Sequence, residues 1–452
     1  MRTIRALLAL VVSLAVLALF AQPALAAPLV TDFNGDGFAD LAVGIPGEDS
    51  NAGAVQILYG SSSGLTTADQ LWLQDDTGTD ASESGDSFGA ALATGDFDDD
   101  GFTDLAIGVP FEDVGAVDAA GAVNILYGSA IGLIDDGAQF WTQDSTGVED
   151  TSEDSDAFGS ALAAGDFNGD GRSDLAIGAP FEDVEALGDA GAVNVLYGSS
   201  SGLTSTGDQF WHQDSSGVKG AVEDGDGFGW SLAAANFGKA SQADLAIGVP
   251  FEDIGTIENA GMVNVLYGSS GGLTATGDQS WHQNSSGILA GAQEDDDFGF
   301  SLAAANFGKS SQSDLAIGVP FETVGGIDNA GAVNVIYGSS GGLTATGDQF
   351  WHQDVSGVKD SSETDDDFGY SLAAADFGDS SQSDLAIGVP FEMVGAVDNA
   401  GAVNVLYGSS GGLTATGDQF WHQDSSGLKG IVEDGDLFGW SLAPRGGGFA
   451  PI

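Results

Sequence analysis

Short apolar runs broken by Gly, Ser and Asp clusters fill this chain, and none carries the three-to-four-residue spacing of an amphipathic helix. The stretch from Asp365 to Gly430 shows the unit. Phe368–Ala374 reads as a first strand whose small residues suit a crowded inner position. After the loop Asp376–Ser383, Asp384–Val389 is apolar almost throughout, as expected of a strand buried on both faces, and Pro390 ends it by removing a ladder donor. Ala402–Tyr407 forms a third strand between Gly401 and Gly408, and Gln419–Gln423 a short aromatic fourth.

The pattern recurs. Asp-Leu-Ala followed by a Gly-x-Pro occurs at Asp40–Pro46, Asp104–Pro110, Asp174–Pro180, Asp244–Pro250, Asp314–Pro320 and Asp384–Pro390. The interval is 64 residues from Asp40 to Asp104 and 70 thereafter. Trp72, Trp141, Trp211, Trp281, Trp351 and Trp421 occupy one repeat position, and a Phe-Gly pair recurs at Phe88, Phe158, Phe228, Phe298, Phe368 and Phe438. Four strands per repeat at this period predict an all-β fold, a β-propeller of four-stranded blades. A solenoid of parallel coils would have shorter repeats. The fourth-strand Trp and Phe are expected to pack between blades.

Six Phe-Gly and six Gly-x-Pro strands favour six blades within residues 27–443, the C-terminal strand at Phe438–Ala443 completing the blade that begins at Asp32–Gln74. A seven-bladed design cut short is the alternative, to which the irregular tail 444–452 gives weight. Residues 1–26 read as a secretory signal peptide: Arg2 and Arg5, an apolar Ala6–Ala21, then Ala24-Leu25-Ala26. That implies export, and no second long apolar stretch suggests a membrane span. With no cysteine, an exported chain must be held by its core or by metals.

Charge narrows the partners. Nine Lys and Arg against 68 Asp and Glu give a formal charge of −59, which excludes nucleic acid and anionic membrane surfaces. Such a surface suits a saline medium or one rich in divalent cations.

Calcium is the expected cofactor. The first three repeats carry, between strands one and two, Asp32, Asn34, Asp36, Phe38 and Asp40; Asp96, Asp98, Asp100, Phe102 and Asp104; and Asp166, Asn168, Asp170, Arg172 and Asp174. Side-chain oxygens at positions 1, 3, 5 and 9, a backbone carbonyl at 7 and Gly at 6 make a compact loop for Ca2+, a hard ion that takes six to eight oxygens. Three ions are expected. The later loops begin Asn236-Phe-Gly-Lys239, Asn306-Phe-Gly-Lys309 and Asp376-Phe-Gly-Asp379, have lost ligands, and are expected to close through Ser, Asn and Gln hydrogen bonds, the loop at Asp376 and Asp379 remaining ambiguous.

The Phe-Gly strand, the acidic loop and the Gly-x-Pro strand together resemble the FG-GAP repeat of the integrin α-chain head, also found in many exported bacterial proteins. The resemblance implies calcium sites on one face of a propeller and ligand recognition by loops. Integrin heads have seven blades, and three loops here are degenerate.

Catalysis is not expected. His212, His282, His352 and His422 share one repeat position and read as structural strand residues. The acidic turns before each Phe-Gly, among them Glu153–Asp156 and Glu223–Asp226, could offer carboxylate pairs for glycoside hydrolysis. A catalytic pair needs unlike environments, so solvated, weakly cation-binding turns are expected instead. The function read from the sequence is a secreted, monomeric, calcium-binding module recognising extracellular protein or glycan. A propeller enzyme such as a polysaccharide lyase or phosphodiesterase, or a secreted structural component, is the alternative.

Overall fold

Residues 31–378 and 380–442 are described by the computed structural model. The expected signal peptide, the tail 444–452 and Asp379 lie outside them. The protein is a six-bladed β-propeller of antiparallel sheets. Five sheets have four strands in chain order, as in Ser231–Ala235, Asp244–Val249, Met262–Ser269 and Gly272–Trp281. The first has three among the described residues, Leu41–Ile45, Ala54–Leu58 and Asp69–Trp72.

Small residues fix the centre. Ala163, Ala164, Ala233, Ala234, Ala303 and Ala374 line a central cavity of about 790 Å³, where larger side chains would not fit so many strands side by side. The second strands of the last five blades are buried at every position, because each lies between an inner and an outer strand and is covered on both faces, by neighbouring blades or, in the sixth, by the fifth blade and by Phe438 and Leu442. Apolar clusters cross from blade to blade: Val193 and Val195 of the third pack with Leu245 and Ile247 of the fourth. Trp72 lies among Leu105 and Ile107 of the next blade, as expected of the fourth-strand aromatics.

Two strand limits differ from the sequence expectation. Phe368-Gly369 is not strand; it docks on the neighbouring blade, and the first strand begins at Leu372. The fourth strand begins at Thr414 rather than Gln419, pairing Thr414 with Tyr407 across a register shift that the Gly417-containing sequence conceals.

The blade contact explains the glycines. Phe228 N donates to Ala190 O of the preceding blade at 2.9 Å, and Gly229 N to Gly248 O of its own blade at 3.2 Å. A Cβ on Gly178 would stand 2.2 Å from the Gly229 carbonyl oxygen, and the other five Gly-x-Pro glycines meet the next Phe-Gly at 2.1–2.2 Å. Gly191, at φ +83°, would place a Cβ 2.4 Å from both Phe228 N and O.

Side-chain amides staple the blades near their outer edges. Gln139 Oε1 accepts from Leu203 N at 3.0 Å while its Nε2 donates to Leu203 O at 2.9 Å. Gln70 grips Leu133 and Gln349 grips Leu413 in the same way.

The first and last blades differ from the rest. Leu41–Ile45 pairs with Ala54–Leu58 alone among the described residues, and Leu41 is 37% exposed. Phe377 is 49% exposed where Phe33, Phe97, Phe167, Phe237 and Phe307 are wholly buried. Phe438-Gly439 docks on the sixth blade as its equivalents do, and Leu442 packs beside Ala373 and Val403 of that blade.

Gly178→Ala and Gly248→Ala should each destabilise the protein by about 1–3 kcal/mol, because the overlapping atom is backbone and cannot rotate away. Urea titration of each variant checks this, with Gly271→Ala as a control, since a Cβ there would meet nothing nearer than 3.9 Å and the backbone is not left-handed.

Candidate metal centres

The three acidic loops share one backbone geometry. In the first, Asp36 N donates to Asp32 Oδ1 at 3.1 Å and to Asn34 Oδ1 at 2.9 Å, Gly37 N to Asp32 Oδ2 at 2.8 Å and Phe38 N to Asp36 Oδ1 at 2.9 Å. The second loop repeats this with Asp96, Asp98 and Asp100, and the third with Asp166, Asn168 and Asp170. Short polar side chains that accept from backbone N–H groups two to five residues on wind the chain into this turn. The ligand oxygens of Asp96, Asp98 and Asp104 lie within 4.8 Å of one another.

The Asp at position 9 has a second task. Asp104 Oδ2 accepts from Phe97 N at 2.7 Å and Oδ1 from Gly128 N at 2.9 Å, tying the loop to the end of the third strand. Asp40, Asp174, Asp244, Asp314 and Asp384 do the same. This residue is therefore architectural in all six repeats, including those whose loops lack the other ligands. Burial raises the Asp96 and Asp98 carboxyls and pushes Asp104 up to about 8 and Asp174 to about 7. Carboxylates gathered away from water without a counter-charge suit a cation.

Each loop is also bonded to the next. Thr103 N donates to Asp32 O at 3.2 Å, Ser173 N to Asp96 O at 2.9 Å and Ala243 N to Asp166 O at 2.9 Å. Arg172, expected to offer only its carbonyl, extends its guanidinium to Asp170 at 3.4 Å and across to Asp99 of the second loop at 3.5 Å.

The fourth and fifth loops hold an internal cation. Lys239 Nζ lies 3.5 Å from the centre of the Tyr267 ring, donates to Gly277 O, and sits close enough to Asp244 to lower its pKa. Lys309 repeats this over Tyr337 beside Asp314. The expected polar closure is there too: Asn236 Nδ2 donates to Ala240 O at 2.9 Å, and Gln312 N to Ser310 Oγ at 3.1 Å. In the sixth loop Gly378 N donates to Asp376 Oδ1 at 3.2 Å. The role of the two lysines was missed from sequence, although their appearance in loops that had lost positions 3 and 5 was the signal for it.

The acidic turns before Phe-Gly are solvated in part as expected, with Glu153, Asp154, Glu223 and Asp224 exposed, but the Asp that closes each of the first five turns is not. Asp86, Asp156, Asp226, Asp296 and Asp366 are buried, as are Glu112, Glu182, Glu252, Glu322 and Glu392. The four His have Nδ1 buried without a hydrogen-bond partner, and three pack against a Phe of the same strand.

Comparison with known proteins agrees with the repeat pattern. The FG-GAP repeat model matches residues 24–58, 88–126 and 158–196, the repeats with intact acidic loops, so the chain carries FG-GAP repeats. The chain is 36% identical over 186 residues to phosphatidylinositol-glycan-specific phospholipase D of Bos taurus, covering 40% of this chain and 21% of that protein. It is 31% identical over 189 residues to integrin alpha-3 of Cricetulus griseus, covering 41% and 16%. Integrin alpha-PS5 of Drosophila melanogaster is 35% identical over 155 residues, covering 33% and 14%. The matches thus span about a fifth or less of each relative's length. A rhamnogalacturonan lyase structure from Bacillus licheniformis overlaps 75% of the chain and 64% of its own at a TM-score of 0.33 and 11% identity, too loose to bear on fold or function.

Without divalent cations, stability should fall as the pH rises. Burial pushes Asp244 and Asp314 up from 3.8 to about 7, so the folded state keeps protons that the unfolded chain has released, and this stabilisation is lost as the pH climbs through 7. His212, His282 and His352, lowered from 6.5 by burial, act in the opposite sense only below that pH. Urea midpoints in chelator should therefore be lower at about pH 9 than at about pH 6.5.

Proposed function

We propose that this chain is a secreted β-propeller, stabilised by calcium, that acts as an extracellular recognition module for a protein or glycan. The observation that carries the reading is the shared geometry of the loops at Asp32, Asp96 and Asp166, three turns that gather oxygens and are hydrogen-bonded to the next blade. Asp32, Asn34, Asp36, the Phe38 carbonyl and Asp40 would hold one ion; Asp96, Asp98, Asp100, the Phe102 carbonyl and Asp104 a second; Asp166, Asn168, Asp170, the Arg172 carbonyl and Asp174 a third. Calcium there supplies positive charge to carboxylates drawn together by the turn. Its part is structural: it fixes the loops and, through Thr103, Ser173 and Ala243, the contacts between blades. Similarity to integrin α chains supports recognition of a protein partner.

A second reading follows from the similarity to a phospholipase D that by name acts on phosphatidylinositol glycans. The propeller would then belong to an enzyme, or accompany one. Release of a protein from its phosphatidylinositol-glycan anchor by the purified chain would favour this reading. Calcium-dependent capture on an array of glycans and extracellular proteins, without hydrolysis, would favour the first.

Calcium should raise the melting temperature by mass action, and chelation should lower it. Asp36→Ala, Asp100→Ala and Asp170→Ala should each remove one ion in calorimetric titration, whereas Ser380→Ala should remove none. An unchanged melting temperature on chelation would sink the calcium reading.

A further inference from the structure

Oxygens converge a second time at the opposite ends of the first strands, where each acidic turn meets the neighbouring blade. Between the second and third blades, Gln143, Asp156 and Glu182 are each 1% exposed. Gln143, at the end of a fourth strand, donates through Nε2 to Glu182 of the next blade, and its Oε1 is buried without a donor. Gln74 with Glu112, Gln213 with Glu252 and Gln353 with Glu392 repeat the contact at 2.5 Å, Gln283 with Glu322 makes it too, and all four Oε1 atoms are likewise unpartnered. In the sixth repeat the same amide, Gln423, lies 2.7 Å from both Asp436 Oδ2 and the Ile431 carbonyl, so this side chain reaches the turn Asp as well. Ligand oxygens of Glu153, Asp156 and Glu182 lie within 4.8 Å of one another, as do those of Glu363, Asp366 and Glu392.

The chain supplies its own comparison. Three junctions carry an Asp and a Ser two residues apart: Asp80 with Ser82, Asp150 with Ser152, Asp360 with Ser362. The other three carry Gly220 with Val222, Ala290 with Ala292 and Gly430 with Val432. Asp and Ser therefore come and go together. Asp80 beside Glu112, Asp150 beside Glu182 and Asp360 beside Glu392 each add to the burial that pushes the glutamate up. The hydroxyls of Ser152 and Ser362 are buried with no partner. Where Asp and Ser are replaced by Ala290 and Ala292, two amides serve the glutamate instead, Gln283 and Gln293 both donating to Glu322.

Carboxyls in contact need a proton or a cation between them, and a hard cation there would also give the unpartnered Gln143 oxygen a partner. The ion pairs among the described residues are Arg172 with Asp99 and Asp170, and Lys219 with Asp278, none of them at these junctions.

We propose that the junctions marked by Asp80, Asp150 and Asp360 each bind a divalent cation of the calcium class. In the second, the ligands would be the Glu153, Asp156 and Glu182 carboxylates, whose oxygens already lie together, with Asp150, Gln143 Oε1 and Ser152 Oγ completing an all-oxygen set suited to a hard ion. The ion joins Gln143 of one blade to the carboxylates of the next. These centres share no residue with the acidic loops and do not depend on them.

Native mass spectrometry of the full chain, titrated with calcium alone, tests this. The junction variant replaces Asp80, Asp150 and Asp360 by Gly, and Ser82, Ser152 and Ser362 by Val, the pair found at 220 and 222; it should bind three fewer ions than the wild type. The loop variant, Asp36→Asn with Asp100→Asn and Asp170→Asn, should keep three. A loop variant that binds no calcium overturns the proposal, as does a junction variant that binds as many ions as the wild type. A wild type and a loop variant that both bind three would remove the loop sites and leave the junctions standing. Should the junction variant fail to fold, the reverse exchange, Gly220→Asp with Val222→Ser, reads the same question: one ion gained supports the proposal, and an unchanged count overturns it.

Discussion

The contact between the Phe-Gly of one repeat and the Gly-x-Pro of the repeat before it sets the geometry of this propeller. Backbone meets backbone there, with the Gly229 carbonyl where a Gly178 side chain would begin. Close packing leaves no slack at such a point, so blade separation follows from the smallest residue. The other interblade features take their spacing from it: Phe228 buried beneath the neighbouring sheet, the Gln139 staple at the outer edge, and the alanines around the cavity. An apolar core alone would tolerate some sliding of one sheet over another; two glycines in contact do not.

A second constraint is electrostatic. The Asp that opens the second strand is needed by the backbone in every blade, since it receives N–H groups from the loop and from the third strand. Its burial creates a local need for positive charge, and the loops around it are of two kinds. In the fourth and fifth blades a lysine lies across a tyrosine ring and faces the Asp. In the first three, further carboxylates and asparagines stand where no lysine does, and Arg172 of the third loop reaches Asp170 and Asp99. The two kinds of loop thus surround the same buried Asp differently, one with a lysine and the other with further acceptors.

Much of the fold could be read from the chain because the repeat multiplies each weak cue. One Gly-x-Pro says little, whereas six at intervals of 64 and then 70 residues specify strand, blade and ring. The second and third strands, Asp384–Val389 and Ala402–Tyr407, were legible to the residue because both are apolar and bounded by Pro or Gly. The fourth was not, since Thr414–Asp418 is polar and carries Gly417, and its strand character comes from pairing with Tyr407. In the loops the ligand spacing was visible, but the roles of Lys239 and Lys309 depend on a tyrosine contributed by the third strand. The burial of Asp156 and Glu182 was hidden for a similar reason: they lie far apart in sequence, and a run of acids reads as solvent-facing until a neighbouring blade covers it.

The docking of each Phe-Gly on the blade before it means that no repeat is finished by its own residues. Phe158 closes over the sheet ending at Trp141, and Phe228 over the one ending at Trp211. During synthesis a blade would emerge with its glycine seat empty, to be filled only when the start of its successor leaves the ribosome. Assembly would then proceed like a zip from the N-terminal end, with one exposed face handed forward at each step. A pause in translation between repeats would hold that single face open, whichever repeat it fell in.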